Sequence, residues 1–291
     1  MTIREPNPEP SNPLGMNGIE FIEFATAQPQ ALGGLLQQLG FVPIARHRSR
    51  EVMLYRQGPM NLIVNADPAA VAGQADAEKR PALSAIALRV RDAGTAWRRA
   101  LDLGAWDIPT RASAMELHIP GICGVGDSQV YFVDRHRSFS IYDVDFVALP
   151  GVDNHPPALA GLHYFGVVQT IGLDRTADWI DFYNTLYGFT PLPEGKFFGV
   201  MPKGTLLESP CHKFYLQLIE PPLGPEVLEW DERLVRIGFG ARAVSDAVRE
   251  LGARGMVFVD REPVQPSDKG ALTQVYLGSV TFELVASHLS G

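Results

Sequence analysis

The chain has 291 residues, more than one average domain, and 46% of them are hydrophobic, which is enough to form substantial cores. Its formal net charge of −8 argues against a nucleic-acid partner, because such partners need a basic protein surface. Its two cysteines, Cys123 and Cys211, form neither a CxxC pair nor a disulfide framework, which fits a reducing, cytoplasmic location.

The first half of the chain repeats one order of strands and helices. A polar, proline-rich arm over residues 1–16 lacks the apolar core of a secretory signal, and no stretch approaches the roughly 18 apolar residues of a membrane helix. Residues 67–80, rich in alanine and charge, are predicted to be a linker. The predicted strands are 18–24, 50–56, 60–65, 83–90, 115–119, 128–133 and 138–146, and the predicted helices are 29–39 and 92–103.

A stretch rich in proline and glycine, residues 150–157, breaks the pattern and is the predicted domain boundary. The same order then returns twice. The predicted strands are 163–169, 197–201, 204–208, 213–219, 234–239, 256–259, 272–277 and 280–286, and the predicted helices are 176–186 and 243–253. Each long helix is followed by a glycine that can end it, namely Gly40, Gly104, Gly188 and Gly255.

The sequence therefore predicts an α+β protein made of four βαβββ units. A single unit leaves one face of its sheet uncovered, so we expect the units to pair two and two. The expected organisation is an N-terminal arm over residues 1–16, a first domain over 17–150 and a second domain over 158–291.

Fourfold βαβββ repetition resembles the vicinal oxygen chelate fold of glyoxalase-like enzymes and extradiol dioxygenases, in which two units form an open, cup-shaped barrel. Within that superfamily the chain resembles the bacterial 4-hydroxyphenylpyruvate dioxygenases. The runs that carry the resemblance are NPLGMNGIEFIEF (12–24), ARHRS (45–49), LYRQG (54–58), VNADP (64–68), MELHIPGICG (115–124), VYFVD (130–134), SIYDVDF (140–146) and GVDNHP (151–156). The second half resembles the family in outline. The resemblance implies that the first domain is structural and the second catalytic.

The resemblance also implies a metal site, because the second cup of the family binds Fe(II) through two histidines and one glutamate. His163 matches the first histidine, and Glu283, on the last strand of the fourth unit, matches the glutamate. The second histidine lies on the opening strand of the fourth unit, where this chain has Arg236. Arginine cannot replace imidazole as a ligand, since it stays protonated and has no free lone pair.

Two interpretations of this departure stay open. In the first, Gln217 completes a metal set with His163 and Glu283, and the ion is Fe(II), as the resemblance implies, or another divalent metal. In the second, Arg236 pairs with Glu283, the metal is lost, and Arg236 binds the carboxylate of an anionic substrate.

The resemblance places two further residues beside the substrate, Gln274 and Ser209. Arg236 and Gln274 are therefore the candidate catalytic residues, and Ser209, Gln217, Gln274 and Arg236 are the candidate substrate-binding residues. The chain ends eight residues after Glu283, whereas family members usually continue into a loop and helix that cover the active site. We expect a cup that is more open to water.

These observations predict a 4-hydroxyphenylpyruvate dioxygenase-like metal enzyme that acts on an aromatic 2-oxo acid in aromatic catabolism. One alternative is a non-oxidative enzyme of the isomerase or lyase type, assisted by a divalent metal or by Arg236, on a related aromatic acid. The other is a metal-free module that binds a small ligand. The resemblance also implies a homo-oligomer.

Overall fold

The computed structural model describes residues 11–108, 117–136, 139–200, 204–222, 230–261 and 264–287. These residues form a mixed α+β fold with two sheets, which confirms the predicted fold class. The strands of the first sheet are β1 (Ile19–Ala25), β2 (Val42–His47), β3 (Val52–Gln57), β4 (Met60–Asn65), β5 (Ala82–Arg89), β6 (Gly121–Cys123), β7 (Gln129–Val133) and β8 (Phe146–Ala148). The strands of the second are β9 (His163–Thr170), β10 (Thr190–Pro191), β11 (Thr205–Glu208), β12 (Tyr215–Ile219), β13 (Arg233–Ala241), β14 (Gly270–Leu272) and β15 (Phe282–Ala286).

The two sheets share one topology. An antiparallel pair lies at the centre of each, β1 with β5 in the first sheet and β9 with β13 in the second. Each of these four strands also pairs in parallel with the last strand of its own unit, namely β4, β7, β12 and β15. A parallel pairing of this kind needs a crossover, which in each unit contains a helix. The sheets therefore show the repeat that the sequence predicts.

The helices of the described residues are α1 (Pro29–Gln38), α2 (Pro68–Ala72), α3 (Ala93–Asp102), α4 (Tyr142–Asp145), α5 (Thr176–Tyr187) and α6 (Val244–Ala253). Helix α5 shows how the sequence sets a helix end, because Gly188 follows it with a φ of 82° and its N–H donates to the carbonyl of Asn184. That left-handed backbone conformation favours glycine. Among these helices, none is long and apolar enough to cross a membrane.

Successive side chains along the central strands point alternately into the core shared by both halves and to the opposite surface of their own sheet. On β1, Ile22 and Phe24 belong to a core shared by both halves, whereas Phe21 belongs to a separate cluster inside the first sheet. On the other side of the shared core, the Phe239 ring lies 6.0 Å from that of Phe41. Each sheet thus packs one surface on the other half and curls its second surface into a cup, which we call the first cup and the second cup.

Several predicted elements are wrong. The described part of the predicted strand 138–146, residues 139–146, does not form one strand: α4 occupies part of it, because Asp143 accepts hydrogen bonds from the backbone and hydroxyl of Ser140 and so favours a turn. Residues 197–200 are not a strand, and Gly199 has a φ of 71°. The predicted strand 256–259 reduces to a single bridge at Phe258. Residues 117–119 are not a strand either; the start of that predicted strand lies outside the described residues.

Two predicted irregular segments contain order. The predicted linker 67–80 contains helix α2, which Asp67 caps through its carboxylate. The described end of the arm packs on the shared core, since Leu14 and Met16 are buried there. The domain boundaries themselves remain a prediction.

Candidate active site in the second cup

The wall of the second cup is formed by adjacent strands of the second sheet. Gln217 on β12 and Arg236 on β13 both lie opposite Val168 on β9, so their side chains point to the same side of the sheet. Glu283 on β15 lies opposite Gly238, two residues after Arg236. The structure therefore brings Gln217, Arg236 and Glu283 together, although they are far apart in the sequence.

Arg236 and Glu283 form a buried ion pair. Their side chains are 8% and 5% exposed, and Nη1 of Arg236 lies 3.6 Å from Oε2 of Glu283. Burial lowers the pKa of the Arg236 guanidinium from its ordinary value, and the Glu283 charge opposes that shift. The distance is longer than the about 2.7–3.2 Å of a direct hydrogen bond. Nε of Arg236 is buried and has no hydrogen-bond partner in the described part of the chain.

The mouth of the second cup is covered by residues 192–200, which we call the cover segment. The Phe198 ring packs against Phe165 at 5.2 Å and against Tyr215 at 4.9 Å between centroids. A side chain on Gly199 would collide with Oε1 of Glu283, so glycine is required for this close approach. The cavity that remains, lined in part by Gln217 and Glu283, has about 30 Å³. It has room for a water molecule rather than for an aromatic acid.

His163 lies at the other end of the same wall. It is opposite Gly240 on β13, which in turn lies opposite Val285 on β15. Its Nε2 lies 2.9 Å from the hydroxyl of Ser287 and its Nδ1 lies 3.3 Å from the carbonyl of Gly161. Burial lowers the pKa of His163, which favours the neutral ring. Ser287 was not among the predicted site residues, although its spacing of four from Glu283 predicts the same side of the strand.

The residues present do not fit the Fe(II) site that the resemblance implies. His163 Nε2 lies against Gly240 and is hydrogen-bonded to Ser287, about 7 Å from Glu283 along the strand direction at about 3.3 Å per residue, whereas a metal ion lies about 2 Å from each ligand. The guanidinium of Arg236 occupies the third ligand position and would repel a cation beside Glu283. In the described ranges, no cluster of three or more His, Cys, Asp or Glu side chains could hold a metal ion. The metal set of His163, Gln217 and Glu283 is not assembled.

The structure does not bring Ser209 or Gln274 into the second cup. Ser209 is fully buried in the turn after β11, where its Oγ accepts hydrogen bonds from the backbone N–H groups of Lys213 and Phe214. Gln274 is exposed because its neighbour Thr273 points inward, where the Thr273 hydroxyl accepts a hydrogen bond from the backbone of Phe282.

Comparison with known proteins identifies the family of the chain. The family model described as "Hydroxyphenylpyruvate dioxygenase, HPPD, N-terminal" matches residues 11–147. A hemolysin VllY from Vibrio vulnificus is 33% identical over 85% of this chain and 73% of that protein. A 4-hydroxyphenylpyruvate dioxygenase from a Pseudomonas species is 40% identical over 74% of this chain. The chain belongs to the 4-hydroxyphenylpyruvate dioxygenase family.

The proteins similar to this chain are named for more than one enzymatic activity. The chain spans 60% of the length of the Pseudomonas dioxygenase. A 3-dehydroshikimate dehydratase from Pseudomonas aeruginosa is 38% identical over 60% of this chain and 27% of that protein. Among solved structures, a mutant of 4-hydroxymandelate synthase from Streptomyces coelicolor gives a TM-score of 0.72 over 96% of this chain and 94% of that one, at 15% identity. That likeness confirms the vicinal oxygen chelate fold.

Proposed function

We propose that this family member is an enzyme whose second cup binds a small aromatic 2-oxo acid through the carboxylate, with Arg236 as its partner. The observation that carries the proposal is the guanidinium of Arg236, which is buried in the cup wall with its Nε unpaired within the described residues. A buried donor without an acceptor costs about 1–3 kcal/mol. A bound carboxylate would relieve that cost, because the planar guanidinium fork fits a carboxylate with two parallel hydrogen bonds.

The rest of the second cup supports an aromatic ligand. Phe165, Tyr215 and Phe198 pack on one another beside Glu283 and form an aromatic cluster. A ring bound there would replace Phe198, since the present cavity of about 30 Å³ is too small for both. The cover segment must therefore open before the acid binds. Because Phe198 belongs to a small cluster outside the shared core, its displacement leaves that core intact.

The proposed reaction is non-oxidative, of the isomerase or lyase type. Arg236 holds the carboxylate, and Glu283, whose carboxylate lies 3.6 Å from the guanidinium, is the proposed acceptor of a proton from the substrate. The proton on the carbon next to the 2-oxo group is the acidic one. When it is removed, the carbonyl oxygen takes up the electron pair of the C–H bond as an enolate. Exchange of that proton with solvent deuterium, followed by NMR, is the direct assay.

The family name favours a second candidate, Fe(II)-dependent oxygenation of 4-hydroxyphenylpyruvate. The deciding experiment is elemental analysis of protein purified without chelator, followed by oxygen uptake with 4-hydroxyphenylpyruvate and added Fe(II). We expect no stoichiometric iron and no substrate-dependent oxygen uptake, but deuterium exchange above the rate in buffer. Iron near one ion per chain together with oxygen uptake would refute the non-oxidative proposal. Binding without exchange or turnover would instead indicate a ligand-binding module.

Variants at Arg236 separate its two suggested roles. If Arg236 binds the carboxylate, Arg236→His removes binding of 4-hydroxyphenylpyruvate in calorimetry. If it only blocks a ligand position, the same change raises iron affinity and leaves acid binding intact. Arg233→His is the matched control, because Arg233 lies exposed at the start of the same strand. We expect it to leave both measurements unchanged.

A further inference from the structure

The larger cup cavity lies in the half to which the resemblance assigns a purely structural role. The first cup contains a cavity of about 300 Å³, ten times the volume left in the second cup. Small-molecule sites in proteins begin at about this size. Side chains from β1, β3, β4 and β7 line it, together with residues 117–119 and part of 141–146. The cavity is thus lined by elements from both units of the first half.

A carboxylate lines this cavity at its polar end. Glu23 lies on β1 between Ile22 and Phe24, and because those two point into the shared core, Glu23 points into the first cup. Its Oε1 accepts hydrogen bonds from the hydroxyl of Ser84 at 2.9 Å and from Nδ2 of Asn65 at 3.2 Å. Its Oε2 accepts none from the described residues, so one acceptor of the carboxyl group remains available to a ligand.

The surroundings hold this carboxylate in place. The amide of Asn65 is held in place on its oxygen side, because its Oδ1 accepts a hydrogen bond from the backbone N–H of Asp67 at 3.0 Å. Ser84 lies where the register of β1 and β5 shifts, which turns its hydroxyl towards Glu23. Burial raises the pKa of Glu23, and the two hydrogen bonds oppose that shift. A polar group fixed in advance of binding spares a ligand the cost of ordering it.

The walls and charges of the first cup define what could bind there. Phe21 and Tyr131, whose ring centroids are 6.0 Å apart, form an aromatic wall, and Ile63 and Val52 add aliphatic surface. Among the described residues that line the cavity, three carry a carboxyl group, namely Glu23, Asp67 and Asp145, and one is an arginine, Arg50. An anion is therefore disfavoured there, whereas a neutral or cationic aromatic molecule fits both the walls and the charge.

We propose that the first cup is a second binding site, for a small aromatic molecule without negative charge whose hydroxyl or ammonium group donates a hydrogen bond to Glu23. The charge preference is opposite to that proposed for the second cup, where Arg236 takes an acid. The two sites are therefore independent, and failure of one proposal leaves the other standing.

Calorimetry on the full chain tests the site with three probes that share one ring. Tyramine carries an ammonium group, p-cresol is neutral, and 4-hydroxyphenylacetate is an anion. We expect tyramine and p-cresol to bind and 4-hydroxyphenylacetate to bind in the first cup at least about tenfold more weakly. To keep the cups separate, the titrations are repeated in Arg236→Gln at a temperature at which circular dichroism shows this variant to be folded, and tyramine binding should then be unchanged.

The matched variants are Glu23→Gln and Glu51→Gln. Glu23→Gln keeps the size and an acceptor oxygen but removes the charge, so tyramine affinity should fall about tenfold or more and p-cresol affinity less. Glu51→Gln removes an exposed carboxylate that does not line the cavity, so it should change neither. Equal tyramine affinity in Glu23→Gln and in the unmodified chain would overturn the proposal. So would an absence of binding by tyramine and p-cresol at millimolar concentration.

A second variant keeps the test decisive if Glu23→Gln fails to fold. Val52→Phe adds a ring to a side chain that lines the cavity, and the open space of about 300 Å³ can accept it. Val52 lies opposite Asn65, one of the two side chains that hydrogen bond to Glu23, so the added ring lies at the polar end of the cavity. We expect an unchanged circular dichroism spectrum with loss of tyramine binding. Retained binding in folded Val52→Phe would place the probe elsewhere and overturn the assignment.

Discussion

Removal of one partner of the buried pair between Arg236 and Glu283 is expected to destabilise the fold strongly. At 3.6 Å and an effective dielectric constant of about 20, the two charges attract each other by about 4–5 kcal/mol. Arg236→Met abolishes this attraction and leaves Glu283 buried without the charge of Arg236, and breaking a buried ion pair in this way typically costs about 3–5 kcal/mol. In a chain of this size each kcal/mol shifts the melting temperature by about 2–4 °C. The melting temperature should fall by roughly 6–20 °C.

The assay is thermal unfolding followed by circular dichroism at neutral pH, with a double-mutant cycle. Arg236→Met combined with Glu283→Leu removes both charges and should recover most of the loss, because an apolar pair avoids the desolvation cost of two buried ions. Arg249→Met is the control, since the Arg249–Asp246 pair is 2.7 Å long but 76% and 59% exposed, and it should change the melting temperature little. A loss in Arg236→Met no larger than in this control, or a double variant no more stable than the single, would refute the reasoning.

Three further perturbations test other parts of the structure. Gly240→Ala places a methyl group against the ring of His163 and should lower the melting temperature by several degrees; an unchanged value would mean that the ring lies elsewhere. Ser209→Ala leaves two backbone N–H groups without their acceptor and should cost about 1–3 kcal/mol in urea unfolding, whereas a loss of ligand binding at unchanged stability would favour a substrate contact. Because burial raises the pKa of Glu23 above 4.5, the stability it contributes is lost as pH rises through the folded-state value. Glu23→Gln should therefore melt higher than the unmodified chain at neutral pH, and this advantage should shrink near pH 4; an advantage independent of pH would contradict the raised pKa.

The repeat was predictable from the sequence because its signals are local. Apolar residues at helical spacing followed by glycine predicted α5 and its end at Gly188, and the structure confirms both. Alternation predicted β1, and aromatic and β-branched residues predicted β9; the structure confirms both strands. Where local hydrogen bonding competes with alternation the prediction failed, as at α4, because Asp143 binds the backbone of its own turn. Spacing within a segment cannot rank these two effects.

The sequence also showed which positions His163 and Glu283 match in the family. It did not show which side chains they contact. The order of the repeats places Arg236 and Glu283 on strands of one sheet, yet their contact depends on the register of β13 and β15, which the whole second half sets. The sequence likewise predicted a strand where the cover segment instead places Phe198 over the cup.

The sequence by itself determined the fourfold repeat and the helix ends, because the repeat follows from periods of two and 3.6 residues and the helix ends follow from the glycines after them. Only the tertiary structure decided that His163 is hydrogen-bonded to Ser287 and that the guanidinium of Arg236 lies beside Glu283. It also decided that the first cup contains a larger cavity than the second. The physical reason is that a side chain adopts the rotamer that its neighbours allow. Those neighbours come from strands separated by tens of residues, whose register no local pattern specifies.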